Sequence, residues 1–148
     1  MDLTDSIDIA APAADVFARV SDLSTMGARS PENTGGAWID GASGAALGAR
    51  FRGTNARGDD TWATIAEVVA YEPPRRFHFV VTYEGEPVSR WEYEIEPTAS
   101  GCRVTERWRD DRGPALKDED DDRATFTVSS IRATLEGLRA ECEAAQRP

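Results

Sequence analysis

Six stretches in a row constrain this chain more than anything else in it. Each alternates apolar with polar side chains, and a few turn-forming residues separate each from the next. They are AWID (37–40), ARFRGTN (49–55), DTWATIAEVVAYE (60–72), RRFHFVVTYE (75–84), SRWEYEIEP (89–97) and GCRVTERWR (101–109). GASG, ARGD, PPR, GEP and TASG punctuate them, and residues of these types form turns. Parallel neighbours need long crossovers, so connections this short predict an antiparallel meander. No stretch closely repeats another, which argues against a solenoid.

The flanking segments complete the plan. TDSIDIAA alternates around Ile7 and Ile9 and predicts a half-buried first strand. Pro12 suits the first turn of a helix, and Val16, Phe17, Val20 and Leu23 share one helical stripe. STMGARSPENTGG, broken by Gly27, Pro31, Gly35 and Gly36, has room for one more short helix. After the meander, DDRGPALKDEDDDR ends the sheet pattern. RATFTVSSIRATLEGLRAECEAAQ then carries the longest helical pattern, with Ile131, Leu135, Leu138 and Cys142 on one face. Asp120, Asp121 and Asp122 precede this helix, where carboxylates favour the positive end of its dipole; otherwise the acidic run reads as a solvated loop. An EF-hand is poorly supported, because Ser129 stands where the closing glutamate belongs and no glycine marks the turn. A half-apolar sheet and a long amphipathic helix must cover each other. The prediction is therefore an α+β fold: a strand, two short helices, six strands and a long helix, with a curved seven-stranded antiparallel sheet wrapped around that helix.

With 148 residues the expectation is one domain spanning 1–148. Apolar residues at 40% and charged residues at 30% place the chain among soluble globular proteins. Its 17 basic against 27 acidic side chains give a net charge of −10, which argues against nucleic acid and anionic membrane surfaces as partners. No apolar run approaches the roughly 20 residues of a membrane span. The N-terminal MDLTDSIDIAAP lacks the basic and apolar regions of a secretory signal. Cys102 and Cys142 have no metal-site or disulfide-framework spacing and read as reduced, buried residues of a cytoplasmic protein.

Alternation also picks out the side chains that face the helix. They are Phe51, Gly53 and Asn55, then Trp62, Thr64, Ala66 and Val68, then Phe77, Phe79 and Val81. Trp91, Tyr93 and Ile95 follow, and the last strand contributes Cys102, Val104, Glu106 and Trp108. Aromatic stripes of this kind ordinarily fill a core. Here Asn55, Thr64 and Glu106 share their phase, and the helix offers Ser130, Thr134 and Gly137 beside its leucines. Aromatics, small helix residues and a few polar groups together predict a hydrated or ligand-filled cavity. Its candidate ligand-binding residues are Phe51, Asn55, Trp62, Thr64, Phe79, Trp91, Tyr93, Trp108, Ser130 and Thr134.

Glu106 is the polar end of that wall, and a buried carboxylate there needs water, an arginine or a ligand group. Burial that raised its pKa would also suit it to act as a catalytic acid or base. His78, the single histidine, points away from the cavity in this register and reads as solvated. Glu32 and Asn33 read as turn or cap residues near an entrance. Gly41, Gly44 and Gly48 lack the ending of a phosphate loop. No GxSxG elbow, cofactor motif or metal-ligand cluster is present.

The chain resembles the SRPBCC superfamily (START, polyketide cyclase/dehydrase and Bet v 1-like helix-grip proteins), in particular its bacterial polyketide cyclase/dehydrase-like branch. The resemblance rests on IDIAAPAADVFARVSDLSTMGARSPENTGG, GARFRGTNARG, WATIAEVVAYEPPRRFHFVV, WEYEIEPTASGCRVTERW and the terminal helix. It implies a helix-grip fold with an elongated hydrophobic cavity between sheet and helix. Members include polyketide cyclases and aromatases, lipid and hormone binders and co-chaperone-like modules, so fold alone leaves activity open. The first reading is binding of a small hydrophobic ligand, polycyclic, polyketide- or lipid-like, with no cofactor. The second is a cyclase/dehydrase with Glu106 as acid/base. The third is a protein-interaction module with a vestigial cavity and an acidic docking surface at residues 118–122. A homodimer is left open.

Overall fold

The computed structural model describes residues 2–148. Seven strands form one antiparallel sheet: β1 (Asp2–Ile9), β2 (Asn33–Ile39), β3 (Arg50–Arg57), β4 (Asp60–Glu72), β5 (Arg76–Tyr83), β6 (Glu86–Thr98) and β7 (Gly101–Asp110). Their order is β1-β7-β6-β5-β4-β3-β2, so β2 to β7 are successive hairpins and β1 closes the far edge on β7. The register aligns the inward residues: Phe51 faces Ala66, Phe79 faces Trp91, Trp91 faces Trp108, and Tyr93 faces Glu106.

Three boundaries differ from the sequence reading. β2 begins at Asn33, four residues before AWID, because Gly35 and Gly36 sit inside the strand at a register shift instead of ending it. Gly36 has φ +146°, and a Cβ there would strike the Arg52 carbonyl and lie 2.7 Å from the Phe51 ring. Only glycine fits both the backbone and the approach of the aromatic. Glu86 and Pro87, read as turn residues, belong to β6; the turn itself is Glu84–Gly85, both at positive φ. Finally, the acidic stretch contains a short helix, α2 (Pro114–Glu119), with Pro114 at its first turn.

Helix α1 (Ala13–Ser21) follows β1, and Pro12 takes its N-cap, one position earlier than the first turn. Its buried Phe17 meets Tyr71 and Phe77 edge-on, with ring centroids 5.6 and 6.4 Å away. A 3₁₀ turn (Leu23–Ala28) leads into β2. The long helix α3 (Arg123–Ala145) lies along β1 and touches β7 and α1. Ile131, Leu135, Leu138 and Cys142 are at most 2% exposed, so the predicted stripe is the buried one. Each buried leucine contributes about 1.5–3 kcal/mol. At Gly137 a Cβ would lie 2.8 Å from the Arg29 Cβ, so the missing side chain lets the segment after the 3₁₀ turn press against α3. Cys102 and Cys142 are free and buried, and burial pushes both thiols up. Among the described residues, no helix is long and apolar enough to cross a membrane.

Candidate ligand-binding cavity

Because α3 rests on the β1 edge, the sheet curves past it and leaves a cavity of about 690 Å³ facing β3 to β6. Ligand pockets run from about 300 to 1,000 Å³. β3 and β4 supply Phe51, Asn55, Trp62 and Thr64; β5 and β6 supply Phe79, Trp91 and Tyr93; β7 supplies Glu106 and Trp108. Ser130 and Thr134 line it from α3. The candidate ligand-binding residues and Glu106 thus lie on the wall, where period-2 geometry places one face of the sheet, whereas Val68, Phe77, Ile95, Cys102 and Val104 of the same alternation are packed in the core instead. Asn55 donates to the Thr64 hydroxyl at 3.2 Å, and Trp91 and Trp108 pack with centroids 6.5 Å apart.

Glu106 is 2% exposed. The Tyr93 hydroxyl donates to its Oε2 at 2.8 Å, while among the described residues Oε1 has no hydrogen-bond partner. Its cross-strand neighbour on β1 is Asp5, and like charges directly opposite each other repel. The nearby cation is Arg29, with a side chain only 3% exposed. Its guanidinium is committed elsewhere: NH1 donates to Glu141 and to Thr25, and NH2 donates to the Arg19 carbonyl. Burial therefore pushes the Glu106 carboxyl up to about 8; the Tyr93 hydrogen bond and the Arg29 charge oppose the rise, and Asp5 adds to it. Tyr93 is itself held well above its ordinary value by burial and by Glu106. Near neutrality the pair is a protonated acid beside a protonated phenol.

The more exposed end of the cavity is built from charges that alternation does not reveal. Arg57 donates to both Asp120 oxygens at 3.1 Å and to Asp122 at 2.8 Å. Arg123 donates to Glu32 at 2.6 Å and to Asp120 at 2.8 Å, while Arg112 donates to the Asp120 carbonyl at 2.9 Å. Both Arg57 and Arg123 lie over the Phe126 ring, 4.5 and 5.4 Å from its centroid. The acidic run is thus not simply solvated: Asp120 and Asp122 tie the α2 segment to the β3–β4 hairpin and to α3. Nor does Asp122 cap α3 with its side chain. Glu32 and Asn33 do line the cavity, and their backbone amides donate to the Ser30 hydroxyl in a turn.

His78 is on the outer face as expected but is not solvated, being 6% exposed. Its Nε2 lies 3.0 Å from Glu94 and its Nδ1 3.2 Å from Arg90, and these long outer-face side chains close over the ring. No group of three or more His, Cys, Asp or Glu among the described residues is placed to hold a metal ion.

A family profile described as polyketide cyclase / dehydrase and lipid transport matches residues 1–143. The chain belongs to that family. A polyketide-cyclase-like protein from Corynebacterium glutamicum, solved by solution NMR, is 32% identical, with a TM-score of 0.60 over 98% of this chain and 91% of that one. A crystal structure of a Deinococcus radiodurans protein shares the fold at 18% identity, with a TM-score of 0.71 over 98% of each chain. The di-domain ARO/CYC StfQ from the steffimycin biosynthetic pathway superposes at a TM-score of 0.75 and 13% identity. That match covers 97% of this chain and 51% of StfQ. Among curated protein sequences, none matches the chain.

Proposed function

We propose that this protein encloses a small hydrophobic ligand, polycyclic or lipid-like, between α3 and the sheet. The observation that carries the reading is a space of about 690 Å³ whose inner part is walled by Trp62, Trp91, Trp108, Phe51 and Phe79, with polar and charged side chains gathered toward its mouth. A packed interior holds few voids larger than a water molecule. Phe51, Phe79 and Trp108 are at most 4% exposed, but Trp62 and Trp91 keep part of their surface open, forgoing burial that a filled core would gain at about 25 cal/mol per Å². A ligand that restores this burial accounts for the arrangement. The family description, which joins polyketides with lipid transport, favours the same chemical class.

One observation favours a second reading, a cyclase/dehydrase-type enzyme. Glu106, with its pKa near 8 on the cavity wall, is tuned as a general acid or base is tuned. The interaction-module reading calls for a nearly filled cavity, and this one is not filled.

Native mass spectrometry of the protein as purified, followed by extraction, tests the proposal. A retained hydrophobic compound, or saturable tryptophan quenching by added fatty acids or polycyclic aromatics, is the expected result. No adduct and no quenching across both classes would sink it. Glu106→Gln separates the two readings: binding of a neutral ligand survives, and turnover disappears if the acid is catalytic.

A further inference from the structure

Between β7 and α3, residues 113–122 run past the cavity mouth, and little of this segment is packed. Helix α2 has no buried residue and makes only slight contact with the other elements. Across 113–122, Leu116 and Asp120 alone are partly withdrawn from solvent. They stand four residues apart, so they share one helical face, and both line the cavity. The segment thus rests on the body chiefly through one leucine and one aspartate.

Asp120 bridges the two walls of the cavity. Arg57, which donates to both of its carboxylate oxygens at 3.1 Å, is the last residue of β3; Arg123, which donates at 2.8 Å, is the first residue of α3. Arg112 donates to the Asp120 carbonyl at 2.9 Å, and both Asp110 oxygens hold that guanidinium at 2.9 Å. The ends of the segment are loose by comparison: a Cβ at Gly113 would meet open space, and Asp121 and Asp122 are exposed. We propose that residues 113–122 form a hinged strap over the cavity mouth, latched by Asp120 and released to let a ligand in or out. This rests on the ligand-binding reading above.

Segments with few buried contacts are the ones that open locally while the rest of a fold stays intact. Ion pairs that are partly exposed are individually weak and are screened by salt, so this latch closes the strap without locking it. The run DEDDD at 118–122 adds a bias toward release, since its like charges repel wherever the arginines do not offset them. Such a gate governs how fast a ligand passes more than how tightly it is held. Opening enters the association and dissociation rates alike, and their ratio moves much less than either.

Lys117 is the only lysine in the chain and is exposed on α2, so endoproteinase Lys-C reads the strap at a single site. Cleavage follows the open population when opening is fast relative to cutting. Asp120→Ala raises the cleavage rate roughly tenfold, the equivalent of about 1.4 kcal/mol of latch. Arg57→Ala leaves the strap's own sequence intact and raises the rate as well. Stopped-flow fluorescence with N-phenyl-1-naphthylamine, a neutral probe that brightens in apolar surroundings, supplies the second readout. In Asp120→Ala its association and dissociation rates rise together, each roughly tenfold for the same loss of latch. Equal cleavage of the parent and both variants, or faster cleavage with unchanged probe rates, would overturn the gate. A rise in the dissociation rate alone would overturn it too, and would make Asp120 a binding contact. If neither this probe nor the fatty acids and polycyclic aromatics named above bind, the ligand-binding reading fails and the strap loses its role as a gate; Lys-C cleavage still decides whether Asp120 holds it.

Discussion

Replacing Glu106 by glutamine isolates the energetics of one buried acid. In the folded protein its pKa is raised from 4.5 to about 8. The folded state therefore holds this proton more tightly than the unfolded chain does, and stability falls as pH rises from about 4.5 to about 8. At about 1.36 kcal/mol per pH unit, the interval from 4.5 to about 8 is worth about 5 kcal/mol in full. Glutamine keeps an oxygen for the Tyr93 hydroxyl and cannot ionise. Relative to the unaltered protein, Glu106→Gln is thus nearly neutral at about pH 5 and stabilising by about 3 kcal/mol at pH 7. The gain levels off above about pH 8.5. Urea unfolding of both proteins at fixed ionic strength over this range measures the difference directly, because every other titrating group is common to the pair and cancels. Parallel stability curves, or a variant less stable than the parent at alkaline pH, would refute the reasoning and mean that Glu106 is ionised and solvated in the folded state.

Two further perturbations test the cavity mouth and the helix seat. Arg57→Ala removes contacts to Asp120, Asp122 and the Phe126 ring; in this half-exposed setting it costs about 1 kcal/mol by urea unfolding at low salt, less at about 1 M salt. A loss insensitive to salt would assign the cost to packing instead. Gly137→Ala gains up to about 1 kcal/mol of helix propensity but drives a Cβ against the Arg29 Cβ, and overpacking costs about 1–3 kcal/mol. The expected net effect is a lowered thermal midpoint, and an unchanged or raised one would show that the turn carrying Arg29 yields freely.

What alternation could and could not reveal is visible in particular residues. A strand with one buried face has period 2, so a correct register at Trp91 and Trp108 also placed Tyr93 and Glu106 on the cavity side. The same logic put His78 outside. It could not show that Arg90 and Glu94 would close over the ring, because phase assigns a face and says nothing of what covers it. Gly35 and Gly36 misled for a related reason: glycine weakens a strand on average, yet here it accommodates a register shift beside the Phe51 ring. The mouth was hidden altogether. Arg57 and Asp120 are 63 residues apart, Glu32 and Arg123 91 apart, and which of many charges pair is decided by tertiary structure. Arg29 left one faint trace, a glycine at position 137 on an otherwise good helix former, which signals a close neighbour without naming it.

The closure of the sheet by β1 sets the order in which the cavity can come into being. Strands β2 to β7 pair with their immediate successors, and such hairpins form early from local contacts. β1 must instead find β7: the Ser6 and Thr105 hydroxyls that meet across that seam at 2.9 Å are 99 residues apart. Closing so long a loop carries an entropic cost that no nearby contact offsets beforehand. Since α3 lies mainly along β1, with smaller contacts to β7 and α1, most of its seat is completed only with that seam. A pocket walled by both layers therefore depends on this long-range pairing, and a ligand that needs both walls can bind only once the seam is made.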